Sequence, residues 1–242
     1  MKRTVFSLLA AFALCVSAAA VGPAVSCPSA LLMEKQTGTV LFAQDEHTPR
    51  EPASVTKIMT LLLVMEAIDS GALSYDDVVT GSAHAAGMGG SDIWLKEGEQ
   101  MTVDDLIKAC VVMSANDAAV VLAEAVAGSE DAFVERMNAR AAELGMNDTV
   151  FKNCNGLDED GHITSAYDVA VMSRALMQHE KIFDYTLIWI DYVRDGQTQL
   201  VNTNKLVRTY DGILGLKTGT TSAAGSCISA AAERNGMRLI AV

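Results

Sequence analysis

Pro52-Ala-Ser-Val-Thr-Lys-Ile-Met-Thr60 sets a serine three residues ahead of a lysine at the head of an apolar run. That run keeps helical spacing from Val55 to Ile68 with no breaker, and Gly71 follows as its stop. Residues three apart share a helix face, so Ser54 and Lys57 are neighbours. A hydroxyl attacks a carbonyl only when something takes its proton, and the Lys57 amine is the nearest group able to do so. The amine must then be neutral, which means moving its pKa from about 10.4 to near 7. Desolvation and a second nearby ammonium can supply those 4 to 5 kcal/mol or so. Taken alone, Ser54 reads first as a helix N-cap, and only the other motifs turn the reading to a nucleophile.

Two further short motifs follow in order, Ser114-Ala-Asn116 and Lys217-Thr218-Gly219. Each is weak by itself, and only the ordered trio is informative. Ser114 and Asn116 fall in a break between two apolar helical segments, where alternation puts them on one side. Ser114 can relay a proton from Lys57 to a leaving amine, and the Asn116 amide can hold a substrate peptide group. Asn116 is also a good N-cap for the helix that starts beside it. Lys217-Thr218-Gly219 ends a strand whose edge can pair with an extended peptide, with Gly219 allowing close approach. Thr218 and Lys217 are candidates to bind a terminal carboxylate, and Lys217 is the candidate second ammonium beside Lys57. The backbone N–H of Thr220 is expected to join that of Ser54 as an oxyanion hole. A phosphate-loop reading of Gly212 to Thr218 fails because Leu216 stands where that motif has glycine.

The remaining chain supplies a framework. Ala30 to Glu34 and Thr39 to Ala43 read as a β-hairpin. Asp104 to Met113, Asp117 to Ala127, Asp131 to Leu144 and Tyr167 to Met177 carry apolar residues at helical spacing, and Ala83 to Gly98 reads as a glycine-rich loop. Leu187 to Arg194, Gln199 to Asn204, Gly212 to Thr218, Gly225 to Ala232 and Arg238 to Val242 alternate like strands, the last two joined by an Asn235-Gly236 turn. The architecture expected is a sheet built from both chain ends, a helical insert over about 69–181, and a cleft between them.

Met1-Lys2-Arg3, the apolar stretch Val5 to Val16 and Ala18-Ala19-Ala20 follow the grammar of a secretory signal over residues 1–20. The stretch is short for a membrane span, and a lipobox reading of Ala24 to Cys27 lacks the usual leucine. Removing Lys2 and Arg3 takes the net charge from −12 to −14, which argues against nucleic acid as a partner. Cys27, Cys110, Cys154 and Cys227 have no C-x-x-C spacing and indicate no disulfide scaffold. His47, His84, His162 and His179 form no H-E-x-x-H pattern, so neither metal nor cofactor is expected.

With the three motifs in place the chain resembles the serine-type D-Ala-D-Ala carboxypeptidases, the low-molecular-mass penicillin-binding proteins, over nearly its full length. The resemblance extends to Ser114-Ala-Asn-Asp-Ala-Ala119, Met137-Asn138, Leu144-Gly-Met146 and Asn155-Gly-Leu157. It implies an α/β fold of the β-lactamase and DD-peptidase kind, an antiparallel sheet with flanking helices and an inserted helical subdomain, with residues 21–242 as the catalytic domain. It further implies an exported enzyme of the cell envelope, active in cell-wall biogenesis. Such an enzyme removes the terminal D-Ala from a peptidoglycan stem peptide through acyl-Ser54 and is acylated by β-lactam antibiotics. Family members usually continue past this point, so the chain reads as C-terminally truncated, with any membrane attachment assigned to a segment outside it and an unstable fold expected. A β-lactamase of the same fold is the competing enzyme, and a non-catalytic wall-binding module the competing non-enzyme. The glutamate motif of class A lactamases does not occur between Asn116 and Lys217.

Overall fold

The computed structural model describes Gly22 and residues 24–242, so the leader expected over residues 1–20 lies outside the described residues. In chain order, the strands are β1 (Ala30–Glu34), β2 (Val40–Gln44), β3 (Val78–Thr80), β4 (Gln100–Thr102), β5 (Ile190–Val193), β6 (Thr198–Val201), β7 (Ile213–Thr221), β8 (Gly225–Arg234) and β9 (Met237–Ala241). The helices are α1 (Lys57–Asp69), α2 (Ala83–Ala86), α3 (Val103–Val112), α4 (Asn116–Ala127), α5 (Glu130–Glu143), α6 (Ala166–Leu176), α7 (Phe183–Thr186) and α8 (Leu206–Thr209).

The main sheet is antiparallel, in the order β2-β1-β9-β8-β7, and so joins both ends of the chain as the sequence suggests. β7 is an edge strand, and its register sets Lys217 opposite Ser229 and Gly219 opposite Cys227. Alternation sorts the faces: Ser229, Ala231 and Ile240 are buried, and Ser229 Oγ meets Ser173 Oγ of α6 at 2.8 Å. Ala230, Ala232 and Leu239 instead line a groove on the outer face. The Asn235-Gly236 turn forms as expected, with φ of +52° and +75° joining β8 to β9.

α1 is apolar nearly all round, and eight of its thirteen residues are buried. Such a helix belongs in the interior, and α1 packs against α4, α5 and α6 as well as β7. Side-chain oxygens of Thr102, Ser129 and Ser165 cap α3, α5 and α6 by accepting from backbone N–H groups two or three residues into the helix. Three placements differ from the reading of the sequence. α6 falls within the stretch expected as the helical insert, but it lies on the sheet, tied there through Ser173 and through Arg174 Nε donating to Lys35 O at 2.7 Å. β5 and β6 form their own two-stranded sheet, and β3 pairs with β4 in another. The segment Ala83 to Gly98, read as loop throughout, opens with α2, whose N-cap Ser82 accepts from Ala85 N. Among the described residues no helix is long and apolar enough to cross a membrane.

Candidate active site

Ser54 lies inside a 3₁₀ turn, Ala53–Thr56, that leads directly into α1. It is therefore not an N-cap: the cap positions are Pro52 and Thr56, and neither makes a side-chain capping bond. The first N–H groups of a helix lack internal partners, and the Ser54 N–H makes no hydrogen bond among the described residues. β7 packs on this turn so closely that a Cβ on Gly219 would stand 2.8 Å from Ser54 N. On the other side a Cβ on Gly156, at φ +87°, would sit 1.9 Å from Ala53 O. Only glycine fits either place, so the turn is gripped between two backbones.

Lys57 is fully buried, and its Nζ has three neighbours: Asn116 Oδ1 at 2.6 Å, Asn155 O at 2.6 Å and Ser54 Oγ at 3.0 Å. The first two can only accept. A neutral amine has two hydrogens and one lone pair, so giving both hydrogens to the two acceptors leaves the lone pair facing the Ser54 hydroxyl. Burial brings Lys57 down to about 8. Lys217 is also buried, and burial followed by the charge of Lys57 brings it to about 7. The sequence leads one to expect desolvation and a second ammonium, Lys217, to lower Lys57 together. Desolvation leads in lowering both amines, and two buried ammoniums repel each other mutually.

The site residues named from the sequence converge. Ser54, Ser114, Thr218, Gly219 and Thr220 line one cavity of about 410 Å³, with Ser91 and Thr203 completing a wall of hydroxyls. Lys57, Asn116 and Lys217 stand behind that wall, and Lys217 Nζ donates to Thr218 O at 2.9 Å. The Ser114 hydroxyl makes no hydrogen bond among the described residues and is free for a ligand. Asn116 is not an N-cap, because α4 starts at Asn116 itself after Ala115. Nor is its amide wholly free for substrate: Oδ1 accepts from Lys57, and Nδ2 donates to Gly89 O at 2.6 Å.

Each motif also holds a strained residue or directly follows one. Ala53, Ser114 and Leu216 have φ of +47°, +64° and +91°, a region costly for residues with a side chain. Such strain costs about 1 to 3 kcal/mol per residue and persists only where the surroundings over-determine it. At Leu216 it accompanies a register shift in β7 between Ile213 and Gly215, just ahead of Lys217.

The family model described as D-alanyl-D-alanine carboxypeptidase matches residues 16–242. The chain belongs to that family. It is 48% identical over 217 residues to D-alanyl-D-alanine carboxypeptidase DacF of Bacillus subtilis (strain 168), covering 88% of this chain and 56% of that protein. The structure of penicillin binding protein 6B from Escherichia coli is similar with a TM-score of 0.86 at 39% identity, over 91% of this chain and 71% of that one. Penicillin-Binding Protein D2 from Listeria monocytogenes, in its ampicillin-bound form, gives a TM-score of 0.79 at 32% identity, over 88% and 87%. The chain thus spans little more than half the length of the Bacillus carboxypeptidase.

In this carboxypeptidase-family chain three supporting groups escaped the sequence reading. His162 Nδ1 accepts from Lys152 N at 2.9 Å, so Nε2 carries the hydrogen and donates to Thr56 Oγ1 at 2.8 Å. Thr56 Oγ1 in turn donates to Ala53 O at 2.8 Å, pinning the strained residue before Ser54. Burial drops His162 to about 4, keeping it neutral. Asn155 contributes a backbone carbonyl, and Asp117 is buried with its carboxylate accepting from Ile93 N and Leu95 N. In the sequence Asn155-Gly-Leu157 carries only the family resemblance, and a carbonyl has no signature in the side-chain alphabet.

Proposed function

We propose that this chain is the catalytic unit of a serine D-Ala-D-Ala carboxypeptidase that trims peptidoglycan stem peptides and is acylated by β-lactams. The observation that carries the reading is the buried Lys57 Nζ standing 3.0 Å from Ser54 Oγ beside the open edge of β7. An extended peptide pairs with that edge, its terminal carboxylate near Thr218 and Lys217. Lys57 takes the Ser54 proton as Oγ bonds to the carbonyl carbon of the penultimate D-Ala, and the oxyanion is met by the Ser54 and Thr220 N–H groups. The proton returns through Ser114 to the departing nitrogen, the C–N bond breaks, and D-Ala leaves. Water then cleaves the ester and restores Ser54.

A β-lactam forms the same ester, but its leaving nitrogen remains tethered to the acyl group in the cavity. No acidic residue is among those lining the cavity to activate a deacylating water, which disfavours the lactamase reading. The leader-like start of the sequence supports export and, with it, activity in the cell envelope. The test is intact mass after exposure to ampicillin, with product analysis on a stem pentapeptide. A covalent adduct lasting hours, release of one D-Ala, and loss of both in Ser54→Ala are expected. Rapid return to the free mass would favour a lactamase, and unchanged turnover in Ser54→Ala would remove Ser54 from the chemistry.

A further inference from the structure

Trp94 is 72% exposed and has φ of +56°, so a large apolar side chain is held in water on strained backbone. The strain is enforced from both sides. Ile93 and Leu95 are buried anchors, and their N–H groups both donate to the buried Asp117 carboxylate, at 3.1 Å and 2.9 Å. Arg194 Nη1 donates to Ile93 O at 2.8 Å and fastens the same loop to the β5–β6 hairpin. A loop clamped in this way presents the indole rigidly, at little further cost in ordering when a ligand arrives.

Trp94 lines an open groove of about 800 Å³ together with Lys96, Glu97, Glu99 and Arg194 and with Gln197, Thr198 and Gln199 of that hairpin. The chain links this groove to the catalytic cavity: Ser91, three residues before Trp94, lines the cavity, and Asp117, which holds the Trp94 loop, follows Asn116 on α4. One exposed aromatic face in a groove lined by carboxamides, a hydroxyl and charged side chains of both signs suits a ring with C–H on its face and hydroxyl and acetamido groups on its rim. It suits a protein interface poorly, because such an interface needs an apolar core around its aromatic anchor. We propose that the groove is a carbohydrate subsite that holds the amino-sugar strand to which the stem peptide is attached. The proposal rests on the reading of the cleft given above, and it assigns the polymeric part of the substrate a place of its own.

The chain has two tryptophans, Trp94 and Trp189, so Trp189→Phe leaves Trp94 as the sole reporter. Titration of that variant with a tetramer of N-acetylglucosamine should shift or quench its emission saturably, and equally so when Ser54→Ala is added. This readout needs no catalysis, so it stands even where hydrolysis fails and the cleft reading falls. In turnover, Trp94→Ala should lower kcat/KM for a disaccharide-linked pentapeptide about fivefold to tenfold. Free pentapeptide should change less than twofold, and Trp94→Phe should restore most of the loss. Absence of any saturable emission change, equal loss on both substrates, or self-association in sedimentation that Trp94→Ala abolishes would each overturn the subsite.

Discussion

Two lysines buried close together do not both stay protonated at neutral pH, and their neighbours decide which charge goes. Lys57 serves as the base only when neutral, so acylation should rise with pH and level off above about 8, where its proton is lost. Lys217 works in the opposite sense: a carboxylate on the ligand uses its ammonium, and that charge fades as pH rises through about 7. For a carboxylate-bearing β-lactam, kcat/KM of acylation should therefore pass through a maximum between the two values, since free-enzyme groups govern that constant. The same ligand with its carboxylate esterified should show the rising limb alone. Lys217→Gln should abolish the alkaline fall and lower kcat/KM about tenfold to a hundredfold, the range for a charged hydrogen bond. Stopped-flow acylation from about pH 6 to 10 measures all of this, and a flat profile would remove Lys57 as the base.

At the scale of elements, the site depends on how tightly β7 presses on the turn that carries Ser54. Gly219→Ala puts a methyl 2.8 Å from Ser54 N and 3.0 Å from Ala53 Cβ, neither of which belongs to a flexible side chain. The strand must move outward and take the Thr220 N–H with it. Loss of one oxyanion donor slows acyl transfer by roughly a hundredfold to a thousandfold. The variant should lose acylation on that scale while keeping a cooperative thermal transition, because an edge strand can shift without opening the core. Acylation within threefold of the parent would mean that Thr220 is not a donor. The long helices were legible in the sequence because α3, α4, α5 and α6 have ten to fourteen residues, enough for a period of 3.6 to show. β3 and β4 have three residues each, too few for alternation. Asn116 looked like a cap because its own partners, Lys57 and Gly89, lie 59 and 27 residues away. His162 and Asp117 act through long-range hydrogen bonds to backbone, and local pattern does not reveal those.

Across the whole molecule the two faces of the main sheet are treated differently. α6 seals one face through Ser173 and the buried row Ser229, Ala231 and Ile240. The other carries Leu32, Tyr210, Ile213, Ala230, Met237 and Leu239 around a groove of about 510 Å³, larger than the cavity at Ser54. Exposed apolar surface of this extent marks a contact site or a liability to associate, and a net charge of −12 opposes association only over long range. The 242-residue chain should therefore enhance the emission of a hydrophobic dye and form concentration-dependent oligomers that persist in salt. Leu239→Lys should weaken both effects, because it sets a charge in the groove on the side of the sheet away from α6. Acylation by ampicillin should be unaffected, since Leu239 does not line the cavity at Ser54. Dye titration and sedimentation of the two proteins decide the matter. A monomeric chain that ignores the dye and melts in one cooperative step would show that the alanine-rich face is stable in water as it stands.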